Sequence, residues 1–258
     1  MVSELKITIK AAKEAGDVIL KYYKSKYEIE DKSYHNPVTT ADKEADEKIK
    51  KILMNNFPDY GWLSEETVDS SERLSKEKVW VVDPLDGTKE FIEGIPNFVV
   101  SIGLVQDGFP ILGVLYNPVT KELFSASKGK GAFLNHKPIS VSTQRALDNA
   151  NVLAARPAQQ AQFWRNATVP GFTRHHRPSL AYRLALVAEG RFDAMITFRN
   201  SWEWDICAGA LIAAEAGAIV SDRTGRKLSF NQKRPLTKGA IAAAPLLHND
   251  IIARSDAH

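Results

Sequence analysis

The sequence predicts a mixed α/β protein in two parts, an α+β half over about residues 1–145 and a layered α/β half over about residues 146–258, forming one unit. Three observations predict it. Two amphipathic helical patterns fill the N-terminal stretch. A train of short β-rich runs separated by turn residues follows. From about residue 151 strand and helix patterns alternate.

Leu5, Ile9, Ala12 and Ile19, with Tyr22 or Tyr23, recur at three- and four-residue steps, so residues 4–24 read as a helix with one apolar face. The stretch NPVTTADKEADEKIKKILMNNFP reads as a second helix. Thr39 is its N-cap with Asp42 three residues on, Ala45, Ile49, Ile52 and Leu53 form the stripe, and Pro58 ends it. Val79, Trp80, Val81 and Val82 are a short apolar run of β-formers, the pattern of a buried strand. FVVSIGLV, PILGVLYNP, ELFSAS, GAFLN and PISVS follow, punctuated by Gln106-Asp107-Gly108, Asn117-Pro118 and Lys128-Gly129-Lys130-Gly131, as in an antiparallel meander. Further on, NVLAA, FDAMIT, AIVSD and AIAAAP read as short strands. PSLAYRLALVAEG is a helix closed by Gly190, and WEWDICAGALIAAEAG a helix stopped by Gly217.

Composition narrows the function classes. Hydrophobic content of 44% and charged content of 25% are those of an ordinary globular chain. No run approaches the roughly 18–20 apolar residues of a membrane span, and the charged N-terminus lacks a signal peptide's apolar core. One cysteine, Cys207, excludes an internal disulfide and points to a reducing, cytoplasmic setting; on an apolar helix it reads as packing. A net charge of +3 does not argue for nucleic acid, although basic residues from Lys128 to Arg199 greatly outnumber acidic ones. His175-His176 reads as an exposed loop, and Trp202 and Trp204 as residues that seat the following helix.

Four acidic stretches carry the chemistry: Asp42 in VTTAD, Glu65-Glu66 in GWLSEE, Asp83 and Asp86 in DPLDGT, and Asp205 in WEWDICAG. Carboxylate oxygens are the ligands of hard cations such as Mg²⁺. Two aspartates three residues apart on a Pro-stiffened turn repel each other unless something positive sits between them, and they could reach neighbouring metals with the Leu85 carbonyl as a further ligand. An Asp bridging two cations makes a phosphoryl-transfer site. Gly87 would let the backbone approach a ligand. The Gly87 and Thr88 amides, opening a short helix through Phe91, would face a phosphate, and the Thr88 hydroxyl could orient water. Taken singly, Asp42 and Asp205 are also explained by helix capping and the helix dipole.

PVTTAD, WLSEE, WVVDPLDGT, KGKGAFLN and WEWDICAGALIAAEAGA, in this order and spacing, resemble the inositol monophosphatase-like phosphatases nearly end to end. That Mg²⁺-dependent, Li⁺-sensitive group includes fructose-1,6-bisphosphatases and 3′(2′),5′-bisphosphate nucleotidases. The resemblance implies a five-layered α/β/α/β/α sandwich and a homodimer. It implies one Mg²⁺ at Glu65, Asp83 and the Leu85 carbonyl, a second at Asp83, Asp86 and Asp205, and a third near Glu65. Glu65 and Thr88 would activate water, with Asp42 behind Thr88.

For the substrate, DGTKEF with Lys89 looks like the bisphosphate nucleotidases that act on adenosine 3′,5′-bisphosphate. Histidinol-phosphate phosphatases also carry a Lys there, and IPNFVVSIGLV and KGKGAFLN look like the inositol monophosphatase branch. Phe198 stands where inositol monophosphatases place an acidic residue. Arg199, Ser179, Tyr182 and Arg183 could meet a second phosphate or a base. The expectation is a bisphosphate nucleotidase, with inositol monophosphatase as the alternative and a regulatory protein on the same fold as the non-enzyme one.

Overall fold

The structure is a computed structural model describing residues 3–33 and 36–256. Helix α1 (Glu4–Tyr22) leads to a two-stranded ribbon, β1 (Ile29–Ser33) and β2 (Asn36–Thr39), and then to α2 (Thr40–Asn56). Thr39 caps α2 as expected: its Oγ1 accepts from Ala41 N at 3.2 Å and Asp42 accepts from Thr39 N at 2.8 Å.

Seven strands form the larger sheet in chain order: β3 (Gly61–Ser64), β4 (Lys78–Asp86), β5 (Val99–Gln106), β6 (Phe109–Asn117), β7 (Glu122–Ser127), β8 (Ala132–Leu134) and β9 (Lys137–Pro138). From β4 onward every pairing is antiparallel, the meander that the turn residues predicted. Only β3 is parallel to its neighbour. GWLS therefore forms a strand where the sequence suggested only an acidic stretch. PISVS contributes just its proline, because the main-chain N–H of Val141 turns away to bond Ala216 O at 3.1 Å.

Five strands form the smaller sheet: β10 (Asn151–Ala154), β11 (Thr173–His175), β12 (Ala194–Thr197), β14 (Ile219–Ser221) and β16 (Ala240–Ala243), in the order β11-β10-β12-β16-β14. Helix α3 (Thr88–Ile92) lies between β4 and β5, α4 (Leu180–Ala188) between β11 and β12, and α5 (Glu203–Glu215) between β12 and β14; α6 (Pro245–Arg254) follows β16, and β13 (Ser201–Trp202) pairs with β15 (Leu236–Thr237). Gly190 (φ 76°) and Gly217 (φ 100°) close α4 and α5 in the left-handed conformation glycine favours.

Alternation along β4 sorts the layers. Trp80 and Val82 point into a cluster with Ala11, Ile19, Ala45 and Ile49 of α1 and α2. Val79 and Val81 point the other way, into a cluster built on α4 and α5 that also takes Leu153, Met195 and Ala242 of the smaller sheet. The far face of that sheet, Val152, Ile196 and Ile241, packs on Leu247 and Ile251 of α6. The result is the expected α/β/α/β/α stack.

Close approach of the middle layer depends on missing side chains. Gly103 and Gly113 are cross-strand partners. A Cβ on Gly103 would stand 2.7 Å from Cys207 Sγ, and one on Gly113 would stand 2.6 Å from Ala208 O. The pair makes a shallow saddle in which α5 lies against the sheet. Cys207 is buried there as packing, with its thiol pushed well up by burial. Among the described residues no helix is long and apolar enough to cross a membrane.

Candidate active site

In a regular strand residues i and i+3 point to opposite faces, so Asp83 and Asp86 should diverge. The ladder shows why they do not. Asp83 pairs with Ser101 and Asp86 with Val99, so three steps on β4 match two on β5. One extra residue makes a bulge that returns both aspartates to the same side. Pro84 sits within it, where a missing N–H costs least. What the sequence suggested as a turn is a strand end with a bulge.

Both aspartates line a cleft of about 490 Å³, together with Glu65, Leu85, Gly87, Thr88, Lys89 and Asp205. Glu65 arrives from the parallel strand β3, its main-chain N–H bonding Val82 O at 3.2 Å, which places it beside Asp83. Asp205 arrives on the first turn of α5, tied to β5 by Ser101 Oγ donating to Trp204 O at 3.1 Å. Glu65, Asp83 and Asp205 each bring a carboxylate oxygen within 4.8 Å of the others, a group able to hold a metal ion. Burial first, and then mutual repulsion, hold the Asp83 and Asp205 carboxyls well above the usual carboxylate range. Among the described residues neither makes an ion pair with Lys or Arg. An all-oxygen set of crowded carboxylates fits a hard divalent cation.

Asp86 stands just outside this trio. Its Oδ2 accepts from Ser179 Oγ at 2.6 Å and from Ala181 N at 2.7 Å, and burial pushes its carboxyl up to about 7. Ser179 is thus a clamp on Asp86 and the N-cap of α4, accepting from Tyr182 N at 3.0 Å.

Thr88 opens α3 at the cleft rim. Its hydroxyl lies 2.9 Å from Asp42 Oδ1 and 3.2 Å from Leu85 O. Asp42 is buried and further fixed by Thr39 Oγ1 at 2.5 Å; burial raises its carboxyl despite these bonds. Gly87 has φ 112°, and a Cβ there would meet Asn97 O and Phe98 Cβ at 3.0 Å. The fold itself requires this glycine. Lys89 is exposed.

A further brace escaped the sequence reading. Buried Asp46, one turn after Asp42 on α2, accepts from Ser64 Oγ at 2.5 Å and from Thr67 Oγ1 at 2.6 Å, pinning the segment that carries Glu65. Its signal was available: a second aspartate at i+4 on an otherwise apolar helix face.

Several other expectations change. Arg183 is 3% exposed, and its Nε donates to the Arg177 carbonyl, so it is built into the segment behind the cleft and does not line it. Arg199 is exposed and near enough to lower the Asp205 carboxyl, but it does not line the cleft either. Phe198 is core, stacked on Phe163 at 4.9 Å. Trp202 does more than seat α5: it is 44% exposed, lines the cleft, and stacks on Trp204 at 4.8 Å with 10° between planes. His175 ends β11, packs on Phe192 at 5.1 Å and bonds Asn151 Oδ1 at 2.9 Å, so only His176 matches the exposed loop expected for the pair.

Comparison with known proteins agrees with this architecture. Residues 2–258 match the inositol monophosphatase family. The chain is 38% identical over 240 residues to "Inositol monophosphatase 2" of Solanum lycopersicum, covering 88% of this chain and 90% of that protein. It is 34% identical over 258 residues to "Nus factor SuhB" of Pasteurella multocida, covering 96% and 94%. The crystal structure of the extragenic suppressor protein suhB from Bartonella henselae superposes with a TM-score of 0.83 at 30% identity, covering 96% of each chain. The chain belongs to the inositol monophosphatase family.

Proposed function

We propose that this protein hydrolyses a small phosphomonoester, using Mg²⁺ held by Glu65, Asp83, the Leu85 carbonyl, Asp86 and Asp205. The convergence of three carboxylate oxygens within 4.8 Å at the cleft, beside the Thr88–Asp42 pair, carries the reading. Bound Mg²⁺ would supply positive charge and Lewis acidity to the phosphoryl group. The chain's own residues do the rest. Glu65 and Thr88 orient the attacking water. Its proton passes to Glu65, or to the Thr88 oxygen as the Thr88 proton moves to Asp42, whose raised pKa suits it as an acceptor. The Asp42–Thr39 bonds keep Thr88's partner from rotating away. Catalysis is positioning and electrostatics, with no covalent intermediate.

For the substrate we propose a phosphorylated polyol of the inositol monophosphate class, on the strength of the tomato relatives' names. Adenosine 3′,5′-bisphosphate is the second reading, favoured by one observation. The exposed face of Trp202, stacked on Trp204 at the cleft, is a flat platform suited to a nucleobase. Phe198 and Arg183 lend that reading no support, since the first is core and the second is turned onto a main-chain carbonyl.

The test is kcat/KM for inositol 1-phosphate, adenosine 3′,5′-bisphosphate, fructose 1,6-bisphosphate and histidinol phosphate at millimolar Mg²⁺, with and without Li⁺. Preference for inositol 1-phosphate, unchanged in Trp202→Ala, is expected. Preference for the nucleotide, lost in Trp202→Ala, selects the second reading. No hydrolysis of any of the four leaves a regulatory protein on a phosphatase fold.

A further inference from the structure

A second crevice opens in the smaller sheet, away from the carboxylates. Strands β10 and β11 are parallel neighbours. The chain leaving β10 packs Trp164 and Phe172 against the α6 face of the sheet, whereas the chain leaving β11 enters α4 on the opposite face. Neighbouring parallel strands whose exits part to opposite faces leave a gap at their carboxyl ends, where open α/β sheets bind ligands. That gap is a cavity of about 370 Å³ lined by Arg156, Arg174 and His176.

The two guanidinium groups that line it, Arg156 and Arg174, make no ion pair among the described residues. Arg174 donates from Nε to Gln159 Oε1 at 3.1 Å and from Nη1 to Ala154 O at 3.2 Å. Arg177 donates to His176 O at 2.8 Å, and Arg183 to the Arg177 carbonyl. Every one of these acceptors is neutral. Among the described residues none of the four arginines makes an ion pair, although Arg191 and Arg254 on the same half of the chain do. Partial burial, and then the charges of Arg183, Arg174, Arg177 and Arg156, hold the His176 ring below its ordinary pKa. Neutral acceptors keep the Arg174 guanidinium in place and leave its charge for something else to balance.

We propose that this crevice binds a phosphate group. Guanidinium forks from Arg156 and Arg174 with an imidazole N–H from His176 match a tetrahedral dianion, and the anion would in turn favour protonated His176. Two sources share this chemistry: free orthophosphate, and a second phosphate on a substrate whose first phosphate lies in the carboxylate cleft. The two sites share a wall. His176 lines one, Pro178 lines the other, and Ser179 between them and α4 holds Asp86.

The test is binding of inorganic phosphate to the full chain after chelation of divalent metals, followed by calorimetry, so that the carboxylate cleft has no cation to attract the anion. Wild-type protein and Asp205→Asn are expected to bind it equally. Arg156→Ala and Arg174→Ala are each expected to bind about tenfold more weakly, the loss of one charge-assisted contact. Arg156 is exposed and its side chain makes no hydrogen bond among the described residues, so its variant keeps the fold. Kinetics with Mg²⁺ then separate the sources. A KM rise in Arg156→Ala for adenosine 3′,5′-bisphosphate but not inositol 1-phosphate identifies a substrate's second phosphate. Unchanged KM for both, with orthophosphate binding weakened, identifies the free anion. Absence of phosphate binding in the wild type, undiminished binding in both arginine variants, or loss of binding in Asp205→Asn overturns the inference. None of these binding results depends on whether the carboxylate cleft is a phosphatase.

Discussion

At the scale of single residues, the Thr88–Asp42 hydrogen bond lets the proposed proton path be tested apart from the proposed metal site, because neither residue belongs to the carboxylate trio. Thr88→Ala is expected to lower kcat by roughly 10²–10⁴, the usual worth of a positioned proton-transfer group, with KM and Tm nearly unchanged. Thr88→Ser should restore most of the rate. Wild-type kcat in the alanine variant would remove Thr88 from the proton path. Asp42 and Thr88 were legible in the sequence because capping and a helix start are local. Ser179's grip on Asp86 and Asp46's grip on Ser64 were not: each joins residues far apart in the chain, and no spacing rule reaches that far.

Among the elements, long amphipathic helices and the turn-punctuated meander were plain because their periods repeat over many residues. GWLS was obscure for a physical reason. A four-residue parallel strand buried on most sides has no polar alternation to show. The β4 bulge was equally hidden, since an extra residue is defined only against a partner strand. The glycine saddle follows the same logic and gives a test. Gly113→Ala would put a methyl group 2.6 Å from the Ala208 carbonyl, backbone that cannot swing aside. Overpacking of this kind costs about 1–3 kcal/mol, a Tm loss of roughly 2–10 °C for a chain of this length. Because α5 also carries Asp205, kcat should fall with it. Unchanged Tm and kcat would show that α5 has room to spare.

For the whole molecule, buried acids set the response to pH. Burial raises Asp83 and Asp205, pushes Asp86 up to about 7, and pushes Glu203 up to about 7 where it accepts from Asn231 N and Gln232 N. Such acids hold their protons longer in the folded than in the unfolded chain. Their stabilisation is therefore complete below the unfolded value of about 4 and is lost as pH rises through the folded value. Tm of the metal-free protein is expected to fall between about pH 4 and pH 7, and saturating Mg²⁺ should flatten the part due to the aspartates. Glu203→Gln should flatten part of the remainder, which Mg²⁺ leaves. A metal-free Tm that climbs across this window would contradict the burial argument. The stacking of the layers was legible through the family resemblance, whereas these protonation states emerge only once the layers close over the acids.

The cleft takes Glu65 from an early strand and Asp205 from a late helix, and they meet only when the middle layer has docked on the larger sheet. A half-folded chain has either one or the other. An ion held by both therefore recognises only the finished molecule, and its binding free energy favours completion over every partly assembled state.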